Sequence, residues 1–204
     1  MPNSAVFWNR SNATMNGVKE SNAVIYGVGS IGRTVGKTLT KLGLHVRGID
    51  PYTSVAEGFE CIYRNADMRE AAAWSDYFII CAPLTEQTRH SVNAEIFDAM
   101  KASCHVINVG RGPIIDETAL VQALTSGSIG SASLDVFETE PLPSDNPLWE
   151  MENVHISPHI SGDAGDFELA LIRQFADLAD MWFHGHDFPS AVDKKRGYAH
   201  TRQN

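Results

Sequence analysis

Short apolar runs alternate with segments of helical periodicity along the chain, and this alternation constrains the fold more than any other feature of the sequence. The apolar run at residues 23–26 is followed by Ile31 and Val35 at the spacing of one helix face, and the runs at residues 76–82 and 104–109 are mostly apolar. Near-continuous apolar strands are typical of a parallel sheet that is buried on both faces. Because helices must then cover both faces, the pattern predicts a three-layer α/β/α fold built on a doubly wound parallel sheet.

The same periodicities predict the individual elements and the division of the chain into segments. We predict strands at residues 23–26, 44–49, 59–63, 76–82, 104–109, 131–136 and 154–157, and helices at residues 31–42, 68–74, 93–100, between Asp116 and Gly127, and at residues 167–183. Asp116 is placed to cap the start of its helix and Gly127 to end it. We expect residues 1–21 to form a polar leader, residues 22–163 the sheet domain, and residues 164–204 a C-terminal helix and tail.

Charge and cysteine content exclude several classes of function. Acidic residues outnumber basic ones by 25 to 16, so the net charge of −9 argues against a nucleic-acid partner. No apolar stretch approaches the length of a membrane span, and the first residues do not resemble a secretory signal. Cys61, Cys81 and Cys104 are odd in number and form no C-x-x-C pair, which predicts reduced thiols and no zinc site. We therefore expect a cytoplasmic protein that binds neither membranes nor metal.

Gly27, Gly29 and Gly32 form a G-x-G-x-x-G motif between the first predicted strand and helix. Such glycines permit a tight turn and a close approach of backbone to pyrophosphate, and the following helix offers free N–H groups to the phosphates. Asp50 ends the next strand 18 residues after Gly32, near the spacing of a ribose-binding carboxylate, which repels a 2′-phosphate. The motif predicts a Rossmann-type site for NAD rather than NADP; the alternative is a tight turn with a turn-forming Asp50-Pro51.

Three side chains suited to catalysis follow three different predicted strands. Arg111 could bind a carboxylate bidentately, and His159 could exchange a proton with a hydroxyl or carbonyl near neutral pH, with a neighbouring carboxylate fixing its tautomer. Glu140, which precedes Pro141, is the third of these side chains. Each has an ordinary alternative: an arginine of a glycine-rich turn, a solvated loop carboxylate, and a histidine satisfied by loop backbone. Because the carboxyl ends of parallel strands share one edge of the sheet, their coincidence beside the glycine motif favours a catalytic group.

At this point the sequence resembles a known family from Val24 to about Tyr198: the NAD-binding domain of the D-isomer-specific 2-hydroxyacid dehydrogenases. The blocks that carry the resemblance are residues 27–32 with Asp50, 82–88, 107–112, 135–142 and 157–162, and the tail at residues 192–198 is also similar. The resemblance implies reversible hydride transfer between NAD and a 2-hydroxy or 2-oxo acid, together with a homodimer.

The resemblance also implies roles for individual residues. Arg111, Glu140 and His159 would be catalytic: Arg111 would bind the substrate carboxylate, His159 would be the general acid or base, and Glu140 would hold it. The cofactor would be contacted by Gly27, Gly29, Ser30, Ile31, Gly32, Asp50, Ala82, Pro83, Val109, Gly110, Arg111, Asp135, His159 and Gly162. Asp135 would lie near the nicotinamide carboxamide.

The sequence departs from the family at two places. Position 30 is Ser where many members carry Arg, a change that a backbone contact should tolerate. Members also carry a flavodoxin-like lobe, much of which precedes the glycine loop, whereas 26 residues precede Gly27 here and do not resemble it. That lobe closes over the substrate and expels water, which we expect this chain not to do alone. We also expect the tail near Tyr198, which would pack on that lobe, to be left exposed. The alternative function is a catalytically silent NAD-binding or interaction module.

Overall fold

The alternating pattern folds into one parallel sheet flanked by helices. The structure is a computed structural model that describes residues 18–163, 165, 167–186, 188, 192–193 and 198–199. The strands of the sheet are β1 Asn22–Tyr26, β2 His45–Ile49, β3 Cys61–Tyr63, β4 Tyr77–Ile80, β5 His105–Asn108, β6 Ser131–Leu134 and β7 Val154–Ile156. The helices are α1 Ser30–Lys41, α2 Met68–Trp74, α3 Ala94–Ala99, α4 Glu117–Ser126 and α5 Phe167–Phe183. The predicted strands and helices are therefore confirmed, with small differences at their ends.

The strand order explains where a ligand can bind. Within the described residues the sheet has seven strands in the order β3-β2-β1-β4-β5-β6-β7, and every neighbouring pair is parallel. The order reverses direction between β1 and β4, which creates a crevice at the carboxyl ends of these two strands. The predicted Rossmann-type fold is confirmed, and the loops that follow the strands lie along one edge.

Two apolar layers hold the helices against the sheet. One layer includes Phe78, Phe97 and Leu120, from β4, α3 and α4. The layer on the opposite face includes Ile25 of β1, against which Val35 and other residues of α1 pack. Since α1 lies on one face and α2, α3 and α4 lie on the other, the three-layer prediction is confirmed.

Helix ends follow the chemistry of their first and last residues. Asp116 caps α4 by accepting a hydrogen bond of 3.0 Å from the Ala119 N–H, and Gly127 ends this helix with a φ of +75°. Asn93 caps α3 in the same manner through the Ile96 N–H. In contrast, Gly29 precedes α1 and offers no side-chain cap, so the first N–H groups of this helix are left for another partner.

The segments at the two ends of the chain differ from the core. Residues 1–17 of the predicted leader lie outside the described residues, whereas residues 18–21 form a turn tied to β2 by the hydrogen bond from the His45 N–H to the Ser21 carbonyl. Helix α5 contributes no buried residue, and Phe175 is 73% exposed. Beyond it, the strands β8 Val192–Asp193 and β9 Tyr198–Ala199 form a short antiparallel pair in the tail, where we expected none.

Candidate active site

Three strand ends meet around Ala82, and glycine is required where they approach. A methyl group at Gly27, whose φ is +96°, would lie 2.6 Å from the Cα of Ala82. A methyl group at Gly110 would lie 2.9 Å from the Ala82 carbonyl oxygen. Three residues predicted to contact the cofactor, from the ends of β1, β4 and β5, are thereby brought together.

The glycine turn presents an open cradle at the start of α1. A methyl group at Gly32 would overlap the carbonyl oxygen of Gly27, so this glycine lets the helix pack on the turn. At Gly29, no atom of the described residues lies within 4 Å of the place that a methyl group would take. Ser30 is exposed, and the Ile31 side chain is 59% exposed. An uncapped helix start beside open space fits a bound pyrophosphate.

The contacts of Asp50 are compatible with both of the interpretations that the sequence left open. Its Oδ1 accepts hydrogen bonds from the N–H groups of Tyr52 (2.8 Å) and Thr53 (2.7 Å), which forms the turn. Its Oδ2 accepts from the Val28 N–H at 3.0 Å, inside the glycine motif. A carboxylate offers about four acceptor positions, so these three bonds leave capacity for a ribose hydroxyl.

Two arginines near Asp50 were missed by the sequence analysis. The Nε of Arg33 donates to the Val28 carbonyl at 3.1 Å, and Nη1 of Arg64 donates to the Asp50 carbonyl at 3.1 Å. These bonds tie the glycine turn and the Asp50 turn to neighbouring elements. The position of Arg33 directly after Gly32 is a signal that could have drawn attention to it, whereas Arg64 reaches Asp50 only through the pairing of β3 with β2.

The loop that carries Arg111 is organised by Asn108, a fully buried polar residue at the end of β5. Its Oδ1 accepts from the Gly110 N–H at 3.0 Å, and its Nδ2 donates to the Arg111 carbonyl at 3.1 Å. The Arg111 side chain is exposed and donates from Nη1 to the Gly110 carbonyl at 2.7 Å. The buried polar residue that ends this strand is thus a structural determinant of the site.

Glu140 and His159 form a hydrogen-bonded pair across two loops. Oε2 of Glu140 lies 2.8 Å from Nδ1 of His159, and Oε1 accepts from the Phe137 N–H at 2.9 Å. Partial burial opposes ionisation of Glu140, but the bonds from His159 and Phe137 and the charges of His159 and Arg111 hold its pKa below the ordinary value. His159 has a left-handed backbone, with a φ of +56°, and its side chain remains 47% exposed. An imidazole held on one nitrogen can transfer a proton through the other.

Asp135 builds the loop that carries His159. Its Oδ1 accepts from the Ser157 hydroxyl (2.6 Å) and the Ile160 N–H (3.0 Å), and its Oδ2 accepts from the Ser161 N–H (3.0 Å). Burial opposes ionisation, but these bonds and that of the Ser161 side chain lower the pKa of Asp135 to about 2. The role of Asp135 and the two serines in shaping this loop was not anticipated from the sequence.

The remaining predicted site residues lie along the same edge. Val109 follows β5 and donates its N–H to the Ile80 carbonyl at 3.2 Å. Pro83 is exposed directly after Ala82, and Gly162 is exposed directly after the loop that Asp135 holds. Within the part of the chain that the structure describes, no cluster of three or more His, Cys, Asp or Glu side chains could hold a metal ion.

The cysteines and the helices add two further observations. All three cysteines are unpaired, and burial raises the pKa values of the Cys81 and Cys104 thiols to about 11. A thiol with such a pKa is a poor nucleophile at neutral pH.

No helix among the described residues is long and apolar enough to cross a membrane.

Comparison with known proteins decides the family. The model of the D-isomer specific 2-hydroxyacid dehydrogenase NAD-binding domain matches residues 3–161. The chain belongs to this family. The glycine turn, Asp50 and the Glu140–His159 pair all lie within the matched region, so the family's NAD-binding domain is the unit that the sheet forms.

Individual relatives agree with this membership. The chain is 39% identical over 174 residues to an uncharacterized protein in the proB 3′ region of Corynebacterium melassecola, covering 85% of this chain and 57% of that protein. It is 50% identical over 97 residues to the glyoxylate/hydroxypyruvate reductase B of Cronobacter sakazakii, covering 48% of this chain and 30% of the reductase. It therefore spans between about a third and somewhat more than half of these relatives.

A solved structure of the family superimposes closely. It is a D-isomer specific 2-hydroxyacid dehydrogenase from Xanthobacter autotrophicus Py2 in complex with NADPH and MES. The two chains superimpose with a TM-score of 0.83 at 35% identity, over 90% of this chain and 75% of the Xanthobacter chain.

Proposed function

We propose that this chain binds NAD(H) and carries the cofactor site and proton-transfer pair of a reversible hydride transfer between NAD(H) and a 2-hydroxy or 2-oxo acid. The observation that carries the proposal is the hydrogen bond between Glu140 and His159, on the same edge of the sheet as the glycine turn. A general acid that is hydrogen-bonded to a carboxylate on one side and exposed on the other, beside a dinucleotide cradle, is suited to this chemistry.

The open turn at Gly29 and the uncapped N-terminus of α1 would hold the pyrophosphate, through the backbone of Ser30 and Ile31. Asp50 would accept from the adenosine ribose, with Ala82 and Pro83 alongside. Val109, Gly110 and Asp135 would surround the nicotinamide. Because the Asp50 carboxylate would repel a 2′-phosphate, we propose a preference for NAD over NADP, although the Xanthobacter relative was solved with NADPH.

Arg111 would bind the substrate carboxylate, since its guanidinium is exposed on a loop that Asn108 holds rigid. The bound cofactor supplies or accepts the hydride. His159 would donate a proton to the substrate oxygen during reduction and remove it during oxidation. Glu140 would fix the ring by accepting from Nδ1, which leaves Nε2 as the proton-transfer atom.

The test pairs a binding and a turnover measurement on the same preparation of the chain. NADH is titrated by fluorescence, and its oxidation is then followed with glyoxylate, hydroxypyruvate and pyruvate. Binding with turnover that disappears in His159→Ala supports the proposal. Absence of NADH binding by a folded chain would overturn the cofactor site.

A silent NAD-binding or interaction module is the second candidate. It is favoured by the exposed apolar side chains of α5, among them Phe175 and Trp182, which are surfaces that a partner would cover. NADH binding without turnover of any of the three 2-oxo acids would support this alternative.

We also propose a homodimer in the cytoplasm. The apolar exposure of α5 supports association with a second copy, and the three unpaired cysteines support a reducing compartment. Sedimentation equilibrium of the chain tests the first proposal, since a monomer at micromolar concentration would contradict it. Fractionation of cells tests the second.

A further inference from the structure

His90 is held in an unusual backbone conformation at the edge of the site. It lies in the loop after β4, and its φ is +49°, in the left-handed region that costs a non-glycine residue free energy. Its N–H donates to the Pro113 carbonyl at 2.9 Å, and its Nε2 lies 2.8 Å from Oε1 of Glu138. The surroundings therefore hold both the backbone and the side chain of His90.

Glu138 is also hydrogen-bonded to Glu117 at the start of α4. Its Oε1 accepts from the Glu117 N–H at 3.2 Å, and its own N–H donates to Oε2 of Glu117 at 3.1 Å. The start of a helix favours carboxylates, but two neighbouring carboxylates repel each other. The imidazole of His90 is the basic group paired with Glu138 at this place.

These contacts close a ring that joins three loops of the site. From His90 the ring passes to Pro113, whose neighbour Gly112 packs directly on the Phe137 carbonyl, and then through Glu138 back to His90. Arg111 is attached to this ring beside Gly112. Glu140 is attached through the hydrogen bond that it accepts from the Phe137 N–H.

We propose that His90 and Glu138 are positioning residues, which hold Glu140 at hydrogen-bonding distance from His159 by closing this ring. The inference rests on the proposed function, in which Glu140 fixes the His159 ring. The His90 and Glu138 side chains are 46% and 34% exposed, so the pair contributes little to global stability. Its effect is local: opening the ring frees residues 137–140 to move away from His159.

The decisive variant is Glu138→Ala, because the loss of its charge and the loss of positioning predict opposite shifts of the Glu140 pKa. Removing a nearby negative charge acts through space to lower the pKa of the Glu140 carboxyl. Opening the ring weakens the bonds to Glu140 from His159 and Phe137, which raises that pKa toward its ordinary value. Carbon-13 NMR titration of the Glu140 side-chain carboxyl distinguishes the two, and we expect the pKa to rise. A fall would overturn the proposal.

His90→Asn tests the other partner, since asparagine tolerates the left-handed backbone. The matched control is His45→Asn, which breaks the exposed pair of His45 Nδ1 and Glu60 Oε1 (2.7 Å), on β2 and the segment before β3. We expect His90→Asn to raise the Glu140 pKa and His45→Asn to leave it unchanged, with the same thermal midpoint in both. Equal Glu140 titrations in His90→Asn and wild type would contradict the proposal.

A double variant and a binding control complete the design. His90→Asn combined with Glu138→Ala should shift the Glu140 titration no further than Glu138→Ala alone, because the two residues act as one unit. Additive shifts would contradict a shared ring. NADH titration of the wild type is run alongside: failure to bind would overturn the proposed function, while the Glu140 titration still decides whether the ring positions this carboxylate.

Discussion

Oε2 of Glu140 and Nδ1 of His159 lie 2.8 Å apart, although the two residues come from loops that follow different strands. Glu140 follows β6 and His159 follows β7, and these strands are neighbours in the sheet. The partner of the imidazole is therefore set by strand order. Because the carboxylate accepts a hydrogen bond from Nδ1 and not from Nε2, it determines which tautomer the ring adopts.

Glu140→Gln should weaken this control of the tautomer without changing the shape of the side chain. The amide can still accept a hydrogen bond, but it lacks the charge of the carboxylate. We expect nitrogen-15 NMR of the His159 ring to show a mixture of tautomers. Where the chain reduces a 2-oxo acid, we expect kcat to fall about tenfold or more. An unchanged ring spectrum would contradict the role of Glu140.

Acid should affect the same pair in a defined direction. The pKa of Glu140 is lowered in the folded chain, so its contribution to stability is present above the ordinary carboxyl pKa. That contribution is lost as the pH falls through the folded value. Since Glu140 loses its charge in this window, we expect the unfolding free energies of the wild type and Glu140→Gln to converge as the pH falls. A difference between the two unfolding free energies that does not change with pH would contradict this expectation.

Asp135→Asn should destabilise the fold, because the carboxylate accepts three hydrogen bonds from the loop that carries His159. Its pKa falls from 3.8 to about 2 on folding, which corresponds to about 2 kcal/mol of unfolding free energy. This contribution is complete above pH 3.8 and is lost as the pH falls toward 2. Urea unfolding at pH 6 and pH 3 measures it.

The exposed Asp163 of the same segment provides the control. We expect Asp163→Asn to change the unfolding free energy by less than about 0.5 kcal/mol. The difference between wild type and Asp135→Asn should shrink between pH 6 and pH 3. A difference that is independent of pH would show that the charge of Asp135 does not carry its effect.

Asp50→Asn should alter cofactor choice while preserving the turn. Its amide oxygen can still accept from Tyr52 and Thr53, whereas the Val28 N–H loses its acceptor and the charge that repels a 2′-phosphate is gone. We expect the ratio of the NADPH and NADH dissociation constants to fall about tenfold, which corresponds to about 1.4 kcal/mol of relative binding free energy. Fluorescence titration with both cofactors measures the ratio. An unchanged ratio would remove Asp50 as the determinant of the preference.

Alanine substitutions at two glycines of one motif should differ in their effects, one on cofactor binding and the other on stability. Gly29→Ala meets no described atom within 4 Å, so we expect normal folding and at least tenfold weaker NADH binding, because the methyl group enters the phosphate cradle. Gly32→Ala overlaps the Gly27 carbonyl and should destabilise the fold by about 1–3 kcal/mol. Thermal unfolding and NADH titration of both variants check the pair. Equal effects would contradict the distinction.

Local sequence patterns predicted most of the fold for a physical reason. Apolar periodicity reflects which side chains must leave water, and it located the helix Phe167–Phe183 at both ends. Capping depends on side chains within a few residues of the helix end, so Asp116 and Gly127 could be assigned directly. The need for glycine at Gly27 and Gly32 likewise follows from a short motif.

Contacts between distant segments were much harder to anticipate. Asp135 was expected near the nicotinamide from the family resemblance, but its bonds to Ser157 and Ser161 depend on the adjacency of β6 and β7. Arg64 reaches Asp50 because β3 lies beside β2. No spacing in the sequence encodes these pairs, since each joins residues whose separation along the chain is unrelated to a helical or strand period.

The sequence by itself thus determined which segments become strands and helices, where glycine is required, and which residue types reach the carboxyl edge of the sheet. These properties depend on hydrophobic burial and on backbone conformation over a few residues. The tertiary structure alone decided which acceptor meets which donor along that edge. The ring through His90 and Glu138 shows the difference: three loops distant in sequence are joined because the strands before them pair in the order β4-β5-β6.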